Sequence, residues 1–148
     1  MREVIIALVS SSITIVITSF FNYHFRLRQE IRNESVKYTT EILKNVYTPI
    51  LKILLSAIVP GDGYDGITKE MLFEIEAIMK RNYELVDPHL HSIIWSLKTE
   101  VRREHYEESL RLFDKNKTLL THVEHHFNFY RKRIGLPFDK TKLTRTIT

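Results

Sequence analysis

Eighteen consecutive residues near the start of the chain, Val4 to Phe21 (VIIALVSSSITIVITSFF), carry no charge, and carrying on to Phe25 adds only Asn22 and His24. A helix rises ~1.5 Å per residue and needs about 20 largely apolar residues to cross a hydrocarbon layer ~30 Å thick. The stretch is therefore long enough for a single transmembrane helix. A cleaved export signal would end in small residues, whereas this one ends in Phe20, Phe21, Tyr23, His24 and Phe25, which read as an aromatic belt at the headgroup level. A buried helix of a soluble protein is the competing reading, but such helices usually keep polar positions on one side.

Hydroxyls dilute the apolar run. Thr and Ser in lipid bond back to a carbonyl one turn earlier or meet a neighbouring helix. Ala7, Ser11, Thr14 and Thr18 form a small-residue face that would suit pairing with a second span, and hence a homo-oligomer. Before the stretch stands Arg2, and after it Arg26, Arg28, Arg32 and Lys37. The side richer in Lys and Arg stays inside, so the expectation is a single-pass protein of the cell (inner) membrane, N-terminus out and C-terminal domain in the cytoplasm.

The remainder of the 148 residues suits one domain. Four Gly and four Pro leave long unbroken segments, as a few long helices require. No cysteine is present, so disulfides, thiolate metal sites and cysteine nucleophiles are excluded. Leu27, Ile31, Tyr38, Ile42, Val46, Ile50, Ile53, Leu54 and Ala57 recur at three- and four-residue steps. This stripe predicts that the span runs on as one long helix, disturbed at Pro49, where the donor to residue 45 is missing. PGDGYDG at 60–66 predicts a turn; aligned as a calcium loop it puts Gly61, Gly63 and Leu72 at ligand positions and fails. Thr68 is the expected N-cap of a helix from Lys69 to Val86, with Ile67 stapled to Leu72. Asp87-Pro88 then restarts a helix as N-cap and first helical residue. A break is expected near Asp114 to Lys117 and a last helix to about Ile134.

The expected fold class is all-α: a transmembrane anchor at 1–25, a cytoplasmic antiparallel helical bundle at 26–134 and a basic flexible tail at 135–148. From Arg131 to the end there are six Lys or Arg against Asp139, so the first 130 residues sum to −1 within a net charge of +4. Arg131, Lys132 and Arg133, with Arg26, Arg28 and Arg32, are the candidate contacts to lipid headgroups. No aromatic platform or reading helix accompanies them, so nucleic acid is not an expected partner.

Among the seven histidines, His122, His125 and His126 share a helix at spacings that can ligate a metal ion, with His89, His91 and His105 elsewhere. No H-E-x-x-H accompanies them, and the ordinary reading of HVEHH is a solvated surface or aromatic packing. There is no G-x-S-x-G, glycine-rich phosphate loop or Walker lysine, and the carboxylates alternate with Lys and Arg as on a solvated helix face. No catalytic residue and no cofactor are assigned. The leading expectation is a non-enzymatic, membrane-anchored helical module that binds or recruits a protein partner at the cytoplasmic face. Immunity, exclusion or defence regulation are roles such a layout would serve. The alternatives are a metal-binding, hydrolytic helical domain built on the histidines and a membrane-active oligomer assembled through the span.

Overall fold

The protein is described by a computed structural model that covers residues 2–59, 63–64, 66–101 and 109–143, with side chains for 14–58, 63–64, 66–100 and 115–143. The chain divides into two compact units, Met1–Lys37 and Tyr38–Thr148. The first consists of helix, the greater part of α1 (Arg2–Ile42). Every side chain from Thr14 to Glu34 is exposed, Leu27 and Ile31 included, so the expected apolar stripe becomes an interior one only from Ile42 onward. Thr18 donates its hydroxyl to the Thr14 carbonyl at 2.7 Å, the back-bond expected of a hydroxyl in an apolar helix. Ala7 and Ser11 lie outside the described side chains. Among the described residues no helix is long and apolar enough to cross a membrane. Of the stretch expected to do so, the side chains of residues 4–13 fall outside that description.

The second unit is an all-α bundle. Its helical segments are a π-helical turn (Leu43–Tyr47), α2 (Thr48–Ser56), α3 (Lys69–Arg81), a 3-10 turn (Tyr83–Leu85), α4 (Pro88–Val101) and α5 (Ser109–Arg133). A short antiparallel pair, β1 (Ile58–Val59) and β2 (Gly63–Tyr64), occupies the segment expected to be a plain turn. The core is built from residues three and four apart: Val46, Ile50 and Leu54, then Leu72, Ile75 and Met79, then Leu90, Ile94 and Leu97, closed by Leu119 and Val123.

Local chemistry explains where the elements change. Pro49 lacks the N–H that would bond the Asn45 carbonyl, and the helix responds by widening just before it, with Thr48 N–H donating to Leu43. The stranded Asn45 carbonyl is taken up by the Asn82 side-chain amide at 3.2 Å, which also donates to Ile78 at 2.9 Å and closes α3. The helix expected to continue to Val86 therefore stops at Arg81, because Asn82 leaves helical geometry to serve both carbonyls. Thr68 caps α3 by accepting from Met71 N–H, as expected.

The break expected at Asp114 to Lys117 is absent, and α5 runs straight through it. Those polar residues look like a loop only while their partners are unknown: Asn116 is buried and accepts the Ile67 amide at 3.2 Å, and Lys115 pairs with Glu100. At its far end α5 finishes at Gly135 (φ +79°), with Gly135 N–H donating to Lys132 and Leu136 N–H to Arg131. This is a Schellman turn, which needs the left-handed conformation glycine adopts freely. The turn sends the following segment back along α5. Asp139 N–H donates to Asn128 at 2.8 Å and Lys142 pairs with Glu124 at 2.7 Å. Residues 144–148 lie outside the described chain.

Candidate functional site

The most concentrated chemistry in the second unit gathers around Asp87, between α4 and α5. Asp87 precedes Pro88 and caps α4 with one oxygen: Oδ1 accepts from the amides of His89 (3.0 Å) and Leu90 (2.9 Å). A cap needs only one carboxylate oxygen. The other, Oδ2, accepts from the Tyr47 hydroxyl and lies 3.2 Å from Nε2 of His122. Three segments distant in sequence, the π turn, the α4 start and α5, thus meet at one carboxyl group.

Each partner reaches it for a local reason. Val46 and Tyr47 follow the buried Leu43 at three- and four-residue steps, which share one helical face, so both lie in the interior. His122 follows Leu119 by three residues on the buried face of α5 and is 1% exposed. His126, one turn further, stacks on His122 (centroids 4.2 Å apart) and on the Tyr47 ring (5.5 Å, interplanar 11°). Tyr130 and His89 extend the cluster, 5.3 Å from Tyr47 and 4.9 Å from His122.

The electrostatics are those of a partly buried anion surrounded by donors. Burial by itself would raise the Asp87 carboxyl, but hydrogen bonds from His122, Tyr47 and the Leu90 amide outweigh it and hold the group well below the usual carboxylate range. The Tyr47 hydroxyl is pushed far up by burial and by Asp87, so it stays neutral and donates. Burial, followed by neighbouring His122, lowers His126 and keeps it a neutral imidazole. His126 Nδ1 lies 3.3 Å from the His122 carbonyl, which leaves Nε2 as its acceptor nitrogen. One buried ring nitrogen, Nδ1 of His122, has no hydrogen-bond partner among the described residues.

Of the three histidines expected to act together, the structure joins His122 and His126 and separates His125, whose Nδ1 lies 3.2 Å from the Lys142 carbonyl on the returning segment. His91 sits in a groove with Trp95, and His105 is outside the described residues. The expected lipid contacts are also divided. Arg26, Arg28 and Arg32 are exposed, while Arg131 donates to the Pro137 carbonyl and lies 5.2 Å over the Phe127 ring, and Lys132 lies 5.8 Å over Phe138. Arg133 is exposed.

Tyr47 and Asp87 were missed as site residues. Asp87-Pro88 was legible as a cap, and the signal available was that a capping Asp has a second oxygen to place. Compared with models of protein families, with curated proteins and with solved structures, the chain matches none.

Proposed function

We propose that the chain is a membrane-anchored interaction protein, held in a bilayer by the start of α1 and presenting its helical bundle to a protein partner at the cytoplasmic face. The observation that carries this reading is the exposure of Ile15, Val16, Ile17, Phe20, Phe21, Tyr23 and Phe25, each more than half accessible. Successive helical residues are 100° apart, so these side chains cover every side of the helix. A single protein stripe would cover one side. Lipid covers all of them, and residues 4–25 give ~33 Å of helix against a hydrocarbon thickness of ~30 Å. The basic run Arg26, Arg28 and Arg32 sets the orientation, N-terminus out.

The partner surface we assign is the face shared by α3 and α4. Trp95 (65% exposed) and Tyr83 (73% exposed) line a groove there with Met79, Val86, Ile94 and His91, beside the Glu76–Lys98 ion pair. Large aromatic side chains left in water on a well-packed base are the residue types that dominate interface energies. Tethering raises the partner's effective concentration at the membrane without adding any contact.

The test is fractionation followed by pull-down of the tagged full-length chain from membranes. The expected result is resistance to alkaline extraction, lost in Ile15→Lys/Ile17→Lys, and a stoichiometric protein that is lost in Trp95→Ala. Release of the unmutated chain by alkali would refute the anchor. Recovery of nothing but the chain itself would refute the partner surface and favour an oligomer assembled through the span.

A further inference from the structure

We propose that Asp87, His122 and His126 together bind one divalent transition-metal ion, of the class that zinc represents, at the junction of α4 and α5. This inference is independent of the membrane reading. One donor atom from each of the three side chains lies within 4.8 Å of the other two. Ligands ~2.0–2.1 Å from a tetrahedral ion stand roughly 3.4 Å from each other, so modest ring and carboxylate shifts close the trio on an ion.

Three further features point to a cation. First, His126 has the tautomer a ligand requires: Nδ1 lies 3.3 Å from the His122 carbonyl, an arrangement that fixes the proton there and turns the Nε2 lone pair outward. Second, His122 is 1% exposed and, among the described residues, its Nδ1 has no partner. Third, Asp87 has no Lys or Arg counter-ion among the described residues, its one ion-pair partner being His122. A divalent ion beside the carboxylate supplies that counter-charge.

The donor set selects the class. Two imidazoles and a carboxylate without thiolate suit zinc and its neighbours better than calcium or magnesium, which take oxygen ligands. Three protein ligands leave a fourth position for water. Tyr47 is a positioning residue: its hydroxyl holds Asp87 Oδ2, as outer partners hold the first ligands of metal sites. His125, adjacent in sequence but turned to the Lys142 carbonyl, belongs outside the site.

The experiment is calorimetric titration of the tag-free full-length chain in detergent, stripped with chelator, with Zn²⁺ alone. The expected result is one ion per chain. His126→Ala and Asp87→Asn should each weaken binding at least tenfold, and His125→Ala should leave it within twofold. Asn caps helices as well as Asp does, so Asp87→Asn keeps the α4 start, and helical circular dichroism verifies each variant. Ring signals in the NMR spectrum of the unmutated chain give a second readout that needs no variant: zinc should shift His122 and His126 and leave His24 and His91 in place. Absence of saturable binding, equal affinity in His126→Ala and Asp87→Asn, or shifts confined to the other histidines would overturn the proposal.

Discussion

Replacing Asp87 with Ala should cost the metal-free bundle far more than the loss of a helix cap. The cap itself, two amides satisfied by Oδ1, is worth about 1–2 kcal/mol. Removing Oδ2 also leaves the fully buried Tyr47 hydroxyl and the His122 ring nitrogen facing no acceptor, at about 1–3 kcal/mol each. The expected total is about 3–8 kcal/mol, a large share of the 5–15 kcal/mol that holds a domain folded. Asp87→Asn keeps the cap and should lose about 1–3 kcal/mol, through the changed partner at Oδ2 alone. Tyr47→Phe, leaving a carboxylate with three other donors, should lose about 1–2 kcal/mol. The assay is thermal and urea unfolding of chelator-treated protein in detergent, followed by circular dichroism, with a double-mutant cycle between Asp87→Ala and Tyr47→Phe. A coupling of about 1–2 kcal/mol is expected, since the two share one hydrogen bond. If Asp87→Ala cost no more than an exposed cap, or the two changes simply added, then the interior junction built on Oδ2 would be refuted.

Two changes elsewhere test the packing around it. Gly66 has φ +92°, and a Cβ there would stand 2.8 Å from the Asn116 amide nitrogen, displacing the side chain that accepts the Ile67 amide. Gly66→Ala should lose about 2–3 kcal/mol, while Gly63→Ala, at the same φ but with open space around it, should lose about 1 kcal/mol; equal thermal midpoints for the two variants would show that Asn116 yields freely. Among the described residues the buried Tyr64 hydroxyl has no partner, and burial pushes it up to about 12. Tyr64→Phe should leave stability unchanged or raise it by about 1 kcal/mol in the same unfolding assay, and a loss above that size would mean that the hydroxyl is bonded.

The sequence by itself determined the helical class, the buried stripe from Ile42 to Leu54, the Thr68 cap and the restart at Asp87-Pro88. These are local properties: periodicity, a missing proline N–H and a capping side chain act within a turn or two of chain. The extent of α5 and the fate of the residues after Gly135 were not legible, because a polar residue looks the same in a loop and on a helix whose partner is far along the chain. Asn116 answers Ile67, Glu124 answers Lys142 and Asn82 answers Asn45. Only the tertiary structure separated His125 from His126, for the spacing allows both and the difference is which ring faces α4. It alone brought Tyr47 to a carboxyl group 40 residues away whose second oxygen no local pattern accounts for.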